Sequence, residues 1–439
     1  MASRAISSAC SAFPRWRPPR SFRQAIRTPT IAVCGCADLR LTVVSPFVDR
    51  RHGTERALAE LLERLAREYH CEIHLYAQRV EDLALDRQAA SEPRKSGAIV
   101  WHKVPSVRGP HLLQFAAWIL LNAFCRGWNR RVRRISCDLI LSPGINCLDA
   151  DVVVVHAIFH RLRELAEEAE REAAGSGGFR RFHRRLYYAL LTGLERRIYS
   201  HSKVALACVS SRTAGQLEKY FGRRDARVIP NGVDTVQFSP SARLARRAQA
   251  RAIRHFRDDD FVLLLMGNDW NNKGLPNVLE ALSKLSDAPA GLLIVGHDDP
   301  NTSHEMAARL GVLGRCVWEQ SCVEILDAYA AADAYVSPSR EDSFGMPVAE
   351  AMACGLPVIT SSFAGISALV HDGTDCFVLR DPRDVESLAK LIRMLCEQAD
   401  LRSRMGNAAA QTAREWTWDR NAAVVWDLLQ EANTRKHSS

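Results

Sequence analysis

At 439 residues, 47% hydrophobic and 25% charged, the chain is too long for one ordinary domain and suits two or three, each able to bury its own core. Lys plus Arg outnumber Asp plus Glu, 59 against 50, which points to an anionic partner (nucleotide phosphates, an acidic membrane face or nucleic acid) without choosing among them. Thirteen cysteines, scattered except for Cys34 and Cys36, argue against a disulfide-framed secreted domain or a paired-CxxC zinc module and for buried thiols in a reducing compartment.

Residues 1–38 read as a basic leader. The first 36 carry Arg4, Arg15, Arg17, Arg20, Arg23 and Arg27 and no acid, which fits a targeting segment, a disordered arm or a start codon taken too early equally well. From Leu39, apolar runs rich in Val, Ile and Leu recur: LRLTVV (39–44), CEIHLYA (71–77), AIVWHKV (98–104), CDLILS (137–142), VVVVHA (152–157) and VALACVS (204–210). Near-continuous apolar content is what strands covered on both faces require. Helical patterns lie between them, such as Thr54 to Tyr69, with Leu58, Leu61, Leu62 and Leu65 at helical spacing and Thr54 as N-cap. Strand, helix, strand in this order predicts a parallel, doubly wound sheet over 39–230. Gly53, where loop meets helix, lets the backbone approach a ligand closely. His156 ends the VVVVH run at the carboxyl edge of its strand; a lone histidine there is more often a core residue. His160 reads as helix surface.

Two segments of this first domain couple apolar helices to arginine clusters. One is 111–136, with Arg126, Arg130, Arg131, Arg133 and Arg134; the other is 179–203, with Arg180, Arg181, Arg184 and Arg185 beside Tyr187 and Tyr188. Such helices can lie in an anionic interface or present an ordinary solvated face. The apolar part of the first, Leu112 to Cys125, is broken by Gln114 and Asn122, so no spanning helix is expected.

The segment RVIPNGVDTVQFSP (227–240) reads as an interdomain hinge. A second strand series follows: FVLLLMG (261–267), GLLIVGH (291–297), CVWEQ (316–320), AYVSP (334–338), PVIT (357–360) and CFVL (376–379). A second doubly wound domain is therefore expected over 231–414, with ligand in the cleft outside the carboxyl ends of the strands. Asp258, Asp259 and Asp260 satisfy a DxD pattern but read as a solvated turn, and no metal is expected. EWTWDRNAAVVWDLLQEA (415–432) reads as a last helix and Asn433 to Ser439 as a loose tail.

The chemistry concentrates in SPSREDSFGMPVAEAMACGLPVIT (337–360). A strand ends at Ser337, and Pro347 suits the first helical position. The peptide N–H groups of Ser343, Phe344, Gly345 and Met346 then form an anion site at the positive end of a helix, suited to a diphosphate. Glu350, a turn further in, can accept two hydrogen bonds from ribose hydroxyls. Upstream, MGNDWNNKGLPNVLEAL (266–282) places Lys273 in a loop after the first strand of the domain, where it can reach a leaving diphosphate.

The 337–360 segment resembles the signature of glycosyltransferase family 4, retaining enzymes of the GT-B fold, in which two acids stand eight residues apart around an F-G-hydrophobic-P run. Here they are Asp342 and Glu350, with Glu341 out of register. The resemblance covers about 39–430 and implies two Rossmann-like domains facing a cleft, the last helix crossing back to the first domain. It implies ribose binding by Glu350, donor-sugar contact by Asp342, phosphate binding by Lys273, and Gly53 and His156 facing the donor across the cleft. The family's usual G-R-x-x-x-x-K-G has Asn268 at the arginine, a loop similar to that of lipopolysaccharide-core glucosyltransferases.

The implied activity is sugar transfer from a nucleotide sugar, UDP being the commonest choice, to an envelope glycolipid or polysaccharide, with no cofactor. The expected site is cytoplasmic, peripheral on the inner membrane face, with acceptor choice in first-domain loops around Arg50, Arg51 and His52. The rivals are a non-catalytic nucleotide-sugar-binding homologue or scaffold and another GT-B enzyme such as an epimerase or phosphorylase. Nucleic-acid binding is not expected, because the basic residues accompany long aliphatic helices.

Overall fold

The computed structural model describes residues 39–50, 53–83, 97–172, 178–320 and 324–438. The leader, Arg51 and His52 lie outside them, as do the side chains of Arg180 and Arg181. Seven parallel strands form the first sheet: β1 (Arg40–Val44), β2 (Glu72–Ala77), β3 (Ile99–Lys103), β4 (Leu139–Pro143), β5 (Val152–Val155), β6 (Ala205–Cys208) and β7 (Arg227–Val228), ordered β3-β2-β1-β4-β5-β6-β7. Six more, β8 (Phe261–Met266), β9 (Ala290–Val295), β10 (Cys316–Glu319), β11 (Ala334–Ser337), β12 (Val358–Ser361) and β13 (Phe377–Leu379), form a second parallel sheet ordered β10-β9-β8-β11-β12-β13.

Both sheets thus reverse direction beside their first strand, and each reversal opens a crevice outside the carboxyl ends. The twelve runs read as strands all form strands, and the hinge adds β7, which extends the sheet edge before the chain leaves for the second domain.

The helices that matter for the cleft are α1 (Gly53–Tyr69), α2 (His111–Val132), α3 (Phe159–Glu172), α4 (Gly178–Tyr199), α5 (Ser211–Phe221), α6 (Leu275–Ser283), α7 (Ile325–Ala331), α8 (Met346–Ala353) and α9 (Trp418–Ser438). The leucines of α1 read as its core face do pack on the sheet: Leu58, Leu62 and Leu65 meet Leu41, Ile73, Leu139 and Leu141. The helix begins at Gly53, so Thr54 stands inside its first turn and not at the N-cap.

The core of the first domain is completed by α9, whose Val425, Leu428 and Leu429 join the same cluster. Tyr69 and Trp426 stack at 5.0 Å, and Arg64 reaches Asp419 at 2.6 Å. Gly232 in the hinge allows the crossing, since a Cβ there would stand 2.4 Å from the Trp418 nitrogen. The segment expected to be a loose tail is helical through Ser438, because Lys436 Nζ bonds the Asp138 carbonyl at 2.9 Å and the Asp151 carboxylate at 2.7 Å.

Candidate active site

The second-domain wall of the cleft is built where β11 runs into α8. Gly345 takes φ 100°, which turns the chain into a helix carrying proline in its first turn. Phe344 and Met346 are buried and anchor this turn, and Phe344 O accepts from Ile366 N at 2.7 Å. The N–H groups of the first helical turn have no carbonyl of their own helix to meet and carry the positive end of its dipole.

Lys273 and Asp342, 69 residues apart in sequence, meet here: Lys273 Nζ donates to Asp342 Oδ2 at 2.6 Å. The other oxygen, Oδ1, accepts from Phe344 N at 3.2 Å. The loops bearing the pair are tied by Asn272, whose Nδ2 donates to Glu341 O at 2.8 Å and whose Oδ1 accepts from Glu341 N at 3.1 Å. Asp298 steadies the lysine loop by accepting from Asp269 N at 2.9 Å and Trp270 N at 2.6 Å. Asn268 is exposed, and its Oδ1 accepts from His297 N at 3.0 Å.

Glu350 is 2% exposed and has two partners. Tyr329 of α7 donates its hydroxyl to Oε2 at 2.7 Å, and Arg56 of α1 pairs with Oε1 across the cleft. Burial pushes the Tyr329 hydroxyl well above its ordinary 10, so it stays a donor. Burial opposes the Arg56 cation, but Glu350 overrides that and holds its pKa above the usual value. Gly53 faces the same spot: a Cβ on it would lie 3.8 Å from Met346 Cγ. The N-termini of α1 and α8 therefore look at one another across the cleft.

Glu341, which the sequence register set aside, holds the two walls together. It is 8% exposed and accepts from Arg212 Nε at 2.9 Å and Nη2 at 2.7 Å, from Arg161 Nε at 3.2 Å and from Gln216 Nε2 at 2.9 Å, all from the first domain. Beside it, Gly365 admits a close interdomain approach, since a Cβ there would come within 2.6 Å of Ser210 Cβ; within its own domain it would also meet Ser343 O at 2.1 Å.

His156 follows β5 directly and lies half-buried among Ala57, Val154, Asn231 and Asn421, under the start of α1. Burial lowers its pKa from 6.5 to about 4, so its ring is neutral at ordinary pH. His160 is not helix surface: its Nδ1 meets the fully buried Glu195 at 2.7 Å, and Tyr220 and Phe221 flank the ring at 5.3 and 5.0 Å. Glu195 also accepts from Phe159 N at 2.6 Å and so caps α3. Arg50 is likewise engaged, bonding Glu63 at 2.6 Å and Asp82 O at 2.9 Å.

Sequence reasoning missed Arg56, Tyr329, Arg161 and Arg212. Only Arg56 carried a local signal, standing one helical turn beyond Gly53. Asp258 and Asp259 are exposed in a turn before β8, and no group of three His, Cys, Asp or Glu among the described residues is disposed to hold a metal ion.

Away from the cleft, α2 exposes Leu120, Phe124, Trp128 and Val132 at successive four-residue steps, each more than half exposed. Arg130, Arg131, Arg133 and Arg134 are exposed beside this stripe. Arg126 is withdrawn from it into a two-bond pair with Asp149 at 2.7 Å. The stripe borders a concave surface of about 450 Å³ lined by Trp101, His102, Lys103 and Arg133. No helix among the described residues is long and apolar enough to cross a membrane.

Two family models match: "Glycosyltransferase Family 4" over residues 51–237 and "Glycosyl transferases group 1" over 246–412. Among curated proteins, the D-inositol 3-phosphate glycosyltransferase of Streptomyces bingchenggensis is 31% identical over 237 residues, 50% of this chain and 51% of that one. The protein of the same name from Thermomonospora curvata is 31% identical over 243 residues, 51% of this chain and 56% of that one. The chain thus spans about half the length of the curated relatives it matches. In structure it is similar to WaaG, a glycosyltransferase involved in lipopolysaccharide biosynthesis (TM-score 0.67, 19% identity, 88% of this chain and 99% of that one). Sucrose-phosphate synthase from Thermosynechococcus elongatus (TM-score 0.69, 16%, 90% and 98%) and HepE from Anabaena in complex with UDP-glucose (TM-score 0.63, 16%, 90% and 100%) share the fold.

Proposed function

The chain belongs to glycosyltransferase family 4, and on that premise we propose that it is a retaining transferase moving a hexosyl group from a nucleotide sugar to an envelope glycolipid or polysaccharide. The observation that carries this reading is the convergence of Lys273, Asp342 and the N-terminus of α8, with Glu350 one turn inside. A diphosphate laid on that helix end meets peptide N–H groups and one ammonium, and its ribose falls toward Glu350. The bond from the sugar's anomeric carbon to the phosphate oxygen breaks, and a bond to the acceptor hydroxyl oxygen forms on the same face. The acceptor's proton passes to the departing phosphate. The protein supplies position and charge stabilisation, not a nucleophile.

His156, neutral at physiological pH, acts as a hydrogen-bonding group that orients the sugar and not as a cation. Uridine is the proposed base, supported by HepE, whose structure holds UDP-glucose. No cofactor or metal is required. The exposed α2 stripe and its arginines suit an anionic bilayer, which supports a cytoplasmic enzyme resting on the inner membrane face and taking a lipid-linked acceptor.

The test is to incubate the protein with a panel of nucleotide sugars and follow thermal stabilisation and nucleotide release in the wild type and in Glu350→Gln. Stabilisation by one donor, with slow release that the substitution abolishes, is the expected result. Binding without release, even after membrane extract is added as a source of acceptor, would turn the reading to a non-catalytic nucleotide-sugar-binding protein.

A further inference from the structure

The donor site as read above is short of positive charge. Its loop carries Asn268 and Asn272 and a single cation, Lys273, whose charge Asp342 already matches at 2.6 Å. Glu350 has a different problem: Oε2 accepts from Tyr329 and Oε1 is paired with Arg56, so a ribose hydroxyl competes with those partners for the lone pairs of the carboxylate. Tyr329 is fully buried under α8 and has nowhere to go. Arg56 lies at the margin of the cleft, its side chain 17% exposed, on the first turn of α1. That turn faces the N-terminus of α8 through Gly53 and Met346.

We propose that Arg56 is the second diphosphate-binding cation of this site, parked on Glu350 until a ribose takes that carboxylate and the guanidinium turns onto the phosphates. The exchange gives the guanidinium a new anion and leaves Glu350 accepting hydrogen bonds from Tyr329 and the ribose hydroxyls. A guanidinium released from a buried carboxylate needs another anion, and its planar fork fits phosphate oxygens better than an ammonium does. The displacement also gives the first domain a direct contact with the donor, so nucleotide binding is reported across the cleft. The proposal rests on the donor reading of the preceding section.

The experiment uses the full chain and titration calorimetry with UDP, GDP and ADP, each compared with its nucleoside measured by displacement, in the wild type, Arg56→Gln and Arg56→Lys. The expected result is that Arg56→Gln weakens the diphosphate by about tenfold or more while nucleoside affinity stays level or rises, because Glu350 is freed. Arg56→Lys should recover part of the loss. Equal weakening of diphosphate and nucleoside, with Lys no better than Gln, would show a merely structural pair and overturn the proposal. So would a diphosphate affinity that is unchanged or increased, which makes Arg56 a plug and no more. A wild type that binds none of the three diphosphates removes the donor reading itself, and this proposal with it.

Discussion

The two walls of the cleft come from sheets with the same strand order, yet they hold their charges differently. On the second-domain wall, Lys273 pairs with Asp342, Asp342 accepts from Phe344 N, and Asn272 ties the two loops through the Glu341 backbone, so these groups are braced from within their own domain. On the first-domain wall, Arg56, Arg161 and Arg212 all find carboxylates across the cleft. One wall is preformed and the other is responsive. Glu341 and Glu350 show the same contrast within nine residues: the first is locked by three first-domain side chains, while the second has one partner fixed from below and one that can leave.

Breaking the preformed wall should have the largest effect. Lys273→Ala is expected to cut turnover by roughly 10²–10³-fold, in line with loss of a group aimed at developing charge, and steady-state release of nucleotide reads it directly. If turnover survives within a few-fold, the second-domain wall is not where charge is stabilised. Next comes the outer face of the first domain. Exchanging Phe124 and Trp128 together for serine should abolish flotation with anionic vesicles while leaving donor hydrolysis unchanged, since both rings lie on the exposed stripe.

The latch is smaller. Glu341→Gln leaves Arg161 and Arg212 poorly matched and should cost about 1–3 kcal/mol of stability, seen as a lower urea midpoint, with donor affinity changed less than in Lys273→Ala. The slightest effect is on pH. A histidine held neutral in the fold binds fewer protons than in the unfolded chain, so its contribution is intact above pH 6.5 and is lost as pH falls toward about 4. His156→Gln should flatten that acid limb, and an unchanged slope would place the loss elsewhere.

Much of this architecture was legible because strands and the α8 turn are local. Twelve apolar runs became twelve strands, and F-G-M-P announced a helix start whose geometry follows from one glycine and one proline. The contacts that join the domains were not. Arg56 and Glu350 are 294 residues apart and Arg212 and Glu341 are 129 apart, and no periodicity connects such pairs. Burial misled in a related way: His160 follows a strand in a polar stretch and reads as surface, but Glu195 from a helix 35 residues on covers it. Arg126, counted with a basic face, turns inward because Asp149 lies within reach in space.

The return of α9 to the first domain bears on how the chain acquires its structure. Ala422, Val425, Leu428, Leu429 and Ala432 complete a core whose other buried members lie between Leu39 and Ile229, and Arg227 meets Glu431, 204 positions further along the chain. Contacts of such separation close late, because a long loop must be ordered before they reward it. During synthesis the second domain can therefore finish folding while the first still exposes the groove along Leu58, Leu61 and Leu65. That groove is the surface on which a chaperone would find this protein, or on which two unfinished copies would find each other.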